Sequence, residues 1–468
     1  MERKKKPAWI PVLVLLLLAA GVFGGILAYN DWYETSHVFV ENAVYPKDAA
    51  VLDLRGTGIS AAHYEALRQE LPDCDIRWDI PFQGGFLADD TTELTVSSLS
   101  AEDVAALDYL PGLKTVNAAG CRDYSQLLAL QARHPDCDVR YTVTILDAEY
   151  PHDTKSLYFS DREPEAGELV EAMAYLPALE SVHFTEPSMA AADLLALREQ
   201  YPDVAVTWEK EVLGTVYADD VTEFDFSGTA LETVAELEAA LEYFPSLEKL
   251  VLCDCGLDNE TLAAYRDRVR EQYKVVWSVK VRSLTIRTDD IWFMPTKFKV
   301  EVTDTHMKDL IYCEDMICVD VGHMMVRNLD WVTGMPHLKY LIIADTWVDD
   351  ISALSGLTEL IYLEIFKTNV KDYSPLLGCT ALEDINLAQT YGDPTVFAQM
   401  PWLKNLWINN CGVTAEERQL LTQSLPDTTI EFDHGWNFGN GWREVPNYFD
   451  MRDILGMPYY NWGNEETE

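Results

Sequence analysis

The chain has 468 residues, 48% of them hydrophobic and 24% charged; this is the composition of a folded protein and excludes wholesale disorder, a collagen-like fibre and a polytopic membrane protein. With 35 basic against 78 acidic residues, the net charge is −43. A field of that sign repels nucleic acid and anionic lipid and leaves cations and basic partners open.

At the N-terminus, Arg3-Lys4-Lys5-Lys6 precedes 21 uncharged residues from Ala8 to Ala28, including Val12-Leu13-Val14-Leu15-Leu16-Leu17-Leu18. A helix of that length spans a bilayer core. Trp9 at one end and Tyr29, Trp32 and Tyr33 at the other suit the two interfaces, and the basic cluster places residues 1–7 in the cytosol. A cleaved signal peptide is the other reading, but the run exceeds the roughly 7–15 apolar residues of such a segment and no small-x-small site closes it. The sequence therefore predicts a cytoplasmic tail over 1–7, a single-pass signal-anchor over 8–29 and a juxtamembrane linker over 30–47, with the rest extracellular at the cell membrane. About −46 of charge and all nine cysteines then lie outside.

Residues 48–285 carry a long period. Ala66-Leu67-Arg68-x-x-x-Pro72-Asp73-x-x-Ile76-x-Trp78 returns as Ala129-Leu130-Gln131-x-x-x-Pro135-Asp136-x-x-Val139-x-Tyr141. It returns again as Ala196-Leu197-Arg198-x-x-x-Pro202-Asp203-x-x-Val206, with Trp208 two places on. The prolines are 63 and 67 residues apart, which predicts modules of roughly 65 residues. Apolar residues at helical intervals, as in Leu194, Leu195 and Leu197, predict backing helices that the prolines terminate. Turns at Gly84-Gly85, Asp147-Ala148 and Gly214-Thr215 lead into new strands. Residues 286–328 keep strand-like composition, as in Phe298-Lys299-Val300-Glu301-Val302, but lose the period.

A shorter repeat occupies 329–432. Leu338-x-x-Leu341-x-Ile343-x-x-Thr346-x-Val348 is followed 22 residues later by Leu360-x-x-Leu363-x-Ile365-x-x-Thr368-x-Val370. Leu382-x-x-Ile385-x-Leu387-x-x-Thr390 and Leu403-x-x-Leu406-x-Ile408-x-x-Cys411-x-Val413 continue it. Earlier, Leu113-x-x-Val116-x-Ala118-x-x-Cys121 and Leu247-x-x-Leu250-x-Leu252-x-x-Cys255-x-Leu257 fit the same template. The pattern resembles the leucine-rich repeat, and the linking phrases Asp350-Ile351-Ser352-Ala353-Leu354 and Asp372-Tyr373-Ser374-Pro375-Leu376 resemble bacterial internalins. The resemblance covers 330–432 well and 48–285 loosely. It implies an α/β solenoid with a parallel sheet on the concave side and helices on the convex side, serving as an interaction scaffold.

Alternate apolar residues of each strand then point inward, and Cys121, Cys255, Thr346, Thr368, Thr390 and Cys411 form a structural ladder that satisfies backbone groups of neighbouring coils. The intervening residues face outward. Tyr340, Tyr362, Glu364, Phe366, Asn386, Trp407 and Asn409 are the candidate ligand surface, whose aromatic faces and amides suit a protein, a peptide or an envelope glycan. A sheet face that merely carries strand formers is the bland reading. The aromatic and Gly-rich tail, 433–468, is expected to cap the exposed edge of the last coil.

No catalytic motif stands up, and no cofactor or metal is expected. Cys253-Asp254-Cys255 is chelate-like, but the register separates the two thiols. Cys313 and Cys318 are spaced for neither a zinc knuckle nor a certain disulfide. His323, beside Met324-Met325, is expected to pack. Asp89-Asp90, Asp219-Asp220, Asp289-Asp290 and Asp349-Asp350 lack a calcium loop around them and read as turn residues. The leading expectation is a non-catalytic, membrane-anchored binding scaffold. The alternative is an envelope enzyme or calcium-dependent module using carboxylates of the irregular segment or the tail.

Overall fold

The computed structural model describes residues 10–41, 43–433 and 441–458, with the backbone alone for 10–18. They fall into two compact units, Met1–Glu209 and Lys210–Glu468. The division cuts through the segment predicted as one stretch over 48–285.

In the first unit a helix, Ile10–Ser36, covers most of the N-terminal apolar run. Its residues Val22, Phe23, Ile26 and Leu27 are each more than half exposed. Among the described residues no helix is long and apolar enough to cross a membrane; Ala8, Trp9 and the side chains of 10–18, on which the predicted anchor largely rests, lie outside the description.

The long period corresponds to a repeated build. Parallel strands Glu93–Thr95, Thr115–Asn117 and Asp138–Arg140 align so that Leu94, Val116 and Val139 form one row, while helices Ala101–Leu107 and Tyr124–Arg133 fill the crossovers. Ser100 and Asp103 close a capping box on the first of these helices, satisfying amides that a helix start otherwise leaves unpaired. The helices Ala61–Glu70, Tyr124–Arg133 and Ala191–Gln200 each end two residues before a proline, where the missing N–H stops them. The aromatic that follows is buried each time, as Trp78, Tyr141 and Trp208.

The turns at 84 and 147 are tips of antiparallel hairpins, a feature the repeat pattern does not announce. Asp79–Phe82 pairs with Gly85–Ala88, and Thr142–Ile145 with Ala148–Pro151. Gln83 with Gly84, and Leu146 with Asp147, all take positive φ, the two-residue turn whose twist matches a hairpin.

The second unit begins in the same style, with parallel strands Glu223–Asp225, Lys249–Val251 and Lys274–Val276 and the hairpin Ser278–Val281/Leu284–Arg287. It continues as one seven-stranded parallel sheet: Trp292–Phe293, Cys318–Asp320, Tyr340–Ile342, Tyr362–Glu364, Asp384–Asn386, Asn405–Trp407 and Thr429–Glu431. The segment 286–328, expected to be irregular, thus supplies the first two strands. Phe298–Val302, strand-like in composition, includes the end of a 3-10 turn, Pro295–Phe298, followed by Lys299 at φ 58.

On the convex side, between strands, the chain runs through 3-10 helical segments, Asp330–Gly334, Ser352–Gly356, Ser374–Gly378 and Pro394–Gln399; an α-helix, Ala415–Ser424, returns only in the last coil. A 22-residue coil is too short for several helical turns, and the 3-10 form covers the same ground with fewer residues. Leu341, Leu363, Ile385 and Leu406 are fully buried between the two sides. After each of the five inner strands one residue takes left-handed φ, at His323, Asp345, Lys367, Gln389 and Asn410.

Candidate functional site: the outer face of the seven-stranded sheet

Residues flanking each buried central leucine form rows on the face turned away from the 3-10 segments. The register lines up Cys318, Tyr340, Tyr362, Asp384 and Asn405 in one row and Asp320, Ile342, Glu364, Asn386 and Trp407 in the next. Of the candidate ligand residues, Tyr340, Tyr362, Glu364, Asn386 and Trp407 therefore do share one face, and Phe366 belongs to the same apolar cluster. They are not open, however. Tyr340, Tyr362, Glu364, Phe366, Asn386, Trp407 and Asn409 all retain less than a tenth of their exposure.

What covers them is the chain's own C-terminal segment. Trp442 and Tyr448, Met451 and Leu455 of the helix Pro446–Ile454 and its continuation pack on Met294, Tyr340, Ile342, Tyr362, Phe366 and Trp407 in one apolar cluster. Trp442 meets Phe366 edge-on at 5.4 Å between ring centres. The tail was expected to seal the edge of the last coil; in its described part, 441–458, it lies across the sheet face instead, because that face is itself too apolar and aromatic to stand in water. Gly435-Trp436-Asn437-Phe438 and the acidic end 463–468 lie outside the described residues.

The cover is polar at defined points. Asn447 donates from Nδ2 to Glu383 (3.0 Å) and Asp384 (2.8 Å), and Asn405 donates to the other Asp384 oxygen at 2.7 Å. Lys297 donates to the carbonyl of Leu455. Tyr362 donates from Oη to Glu364 at 2.6 Å, with the Trp442 carbonyl 3.5 Å away. Burial pushes the Glu364 carboxyl up to about 8, against the Tyr362 hydrogen bond and the charges of Arg443 and Arg452, which pull it down. Burial likewise raises Asp320 and Asp384. Glu364 has the elevated affinity for a proton that a general acid needs, but with the tail in place it is covered.

The ladder positions are buried: Cys121, Cys255, Thr346, Thr368, Thr390 and Cys411. The threonine hydroxyls, however, donate to carbonyls of their own coil, Ile343, Ile365 and Leu387, at 2.6–2.7 Å. A threonine Oγ1 sits one bond from Cβ and reaches the near carbonyl three residues back more readily than one a coil away. Cys411, with the longer C–S bond, does reach across, to the Leu387 carbonyl at 3.1 Å. All nine cysteines are free thiols, so Cys313 and Cys318 form no bridge.

His323, expected to pack, is exposed, with Nδ1 2.9 Å from Asp345. Among the described residues no three His, Cys, Asp or Glu side chains converge as a cation site would require. Several of the paired acids have other work. Asp89 accepts from the Trp78 N–H, Asp289 pairs with Arg287 and Lys249, Asp349 with Arg327, and Asp350 accepts from the Ser352 N–H.

The second unit has the fold of a leucine-rich repeat solenoid, with one parallel sheet and its apolar strand residues buried coil by coil. No family model matches the chain, and no curated protein does. Among solved structures, internalin C2 of Listeria monocytogenes aligns at 15% identity over 51% of this chain and 91% of its own, with a TM-score of 0.25. A second internalin of the same organism, inlF, aligns at 14% identity over 87% and 96%, with a TM-score of 0.28. A leucine-rich repeat protein of Leptospira interrogans aligns at 10% identity over 72% and 93%, with a TM-score of 0.24. At such scores these likenesses carry no argument, and the fold assignment rests on the coils themselves.

Proposed function

We propose that this chain is a non-catalytic binding scaffold, held at the cell membrane by its N-terminal helix, which recognises a protein or peptide on the outer face of the seven-stranded sheet. The observation that carries this reading is that the face is already occupied by a polypeptide segment, anchored by aromatic side chains in the manner of an interface core. The anchor is supported by the basic cluster ahead of the uncharged run 8–28 and by the exposed apolar side chains of 22–27. The acidic charge favours a basic or neutral partner over anionic lipid.

The test is affinity capture by the detergent-solubilised full chain from an envelope fraction, competed by free chain. One protein recovered in saturable, near-stoichiometric amount is the expected result; capture that does not saturate or compete sinks the reading. Extraction at alkaline pH and protease protection of intact cells test the anchor: release into the soluble fraction, or protection of the repeats from outside, would refute it.

A further inference from the structure

We infer that the segment 441–458 is a displaceable occupant of the sheet face, and that the partner this face takes is a helical peptide segment of the same chemistry, bearing aromatic anchors and arginine. This deepens the proposed function and rests on its assignment of the outer sheet face.

Three observations carry it. The segment is attached through side chains: its backbone N–H groups at 444, 448, 455, 456 and 457 bond to carbonyls within the segment, while its carbonyls at Trp442 and Leu455 accept from the side chains of Tyr362 and Lys297. It joins no ladder, so its departure breaks no strand pairing.

The interface is also built unlike a permanent core. Glu364, 2% exposed, is a carboxyl under an apolar cover, and the Asn386 Nδ2 beside it in the register is buried without a hydrogen-bond partner among the described residues. Groups of this kind weaken a fixed core and serve selection among partners. Finally, the polar groups match: the face offers the carboxyls of Asp320 and Asp384 beside the protonated Glu364, and the segment brings Arg443 and Arg452, whose positive charge acts on Asp320. Arg443 lies 4.3 Å over the Trp442 ring, so aromatic and cation form one recognition element.

The probe is a fluorescent synthetic peptide of residues 441–458. It is titrated by anisotropy into the intact full chain, into the chain carrying Trp442→Ser, Tyr448→Ser and Met451→Ser, and into a chain ending at Asp433; circular dichroism and melting verify each solenoid. The expected result is saturable binding to either opened chain, at least ten-fold tighter than to the intact chain, where the resident segment competes. A peptide with Arg443→Glu and Arg452→Glu should lose at least ten-fold. Equal affinity for intact and opened chains, full affinity of the charge-reversed peptide, or no binding to a folded opened chain overturns the inference. If envelope capture succeeds while the peptide fails, this inference falls and the proposed function stands; peptide binding without capture gives the reverse.

Discussion

Replacing Glu364 by glutamine tests whether a carboxyl is held under the C-terminal segment at a cost. Glu364 is faced by Tyr362, by Tyr448, Arg443 and Arg452 of the covering segment, and more distantly by Asp320. Burial dominates and lifts the carboxyl from 4.5 to about 8. The folded state therefore holds a proton that the unfolded chain gives up above pH 4.5. The penalty is absent below pH 4.5, grows as pH rises, and levels off above about 8. At about 1.4 kcal/mol for each pH step, it amounts to about 2 kcal/mol at pH 6 and about 5 kcal/mol above pH 8. A glutamine in this place reproduces the neutral acid, with an oxygen to accept the Tyr362 proton and an amide to donate, and carries no ionisation cost. Denaturant unfolding of parent and E364Q in detergent, from pH 4.5 to 9, should give curves that coincide at the acidic end and diverge upward for the variant. Parallel curves, or a variant less stable at pH 8, would refute the reasoning.

Three further outcomes follow from the coils. Gly378→Ala places a Cβ inside the Ser355 carbonyl of the preceding coil, whereas at Gly356, one coil earlier in the same position, a Cβ meets open space. The first should destabilise by about 2–3 kcal/mol and the second by less than about 1 kcal/mol, read by chemical denaturation. Thr368→Val leaves the Ile365 carbonyl without its buried hydroxyl donor and should cost about 1–2 kcal/mol; a neutral substitution would show that the hydroxyl is not needed there. In a thiol titration under native conditions Cys253, partly exposed, should react first, while Cys313 and Cys379, pushed up to about 12 by burial, react only on unfolding; nine thiols should appear in denaturant.

The regular coils are legible because leucine and isoleucine recur where the strand turns inward. The second of the two strands of 286–328, Cys318–Asp320, escapes that reading for a chemical reason: its template is written in other residues. Met316-x-x-Val319-x-Val321-x-x-Met324-x-Val326 stands 22 residues ahead of Leu338, with the same spacing and the same burial, but methionine and valine occupy the leucine places. The hairpins at 79–88 and 142–151 are hard to foresee because Leu146-Asp147 is a poor advertisement for a turn with two positive φ values. The rows on the sheet face are correctly grouped by the repeat, since register alone decides which residues share a face. Their burial is not, since it depends on a segment some 80 residues further on, Trp442 against Tyr362. The available signal was composition: Tyr340, Ile342, Tyr362, Phe366 and Trp407 are too apolar for an open sheet, and the matching aromatic residues lie in the tail.

Only seven residues separate Asp433 of the last coil from Gly441 of the covering segment. A tether that short keeps its cargo at an effective concentration on the order of millimolar. A free partner of equal intrinsic affinity must therefore reach similar local density to take its place, a condition met by dense or multivalent display on a facing surface and unmet by a dilute soluble protein. The length of the connector, as much as the chemistry of the face, sets the abundance at which this scaffold would respond.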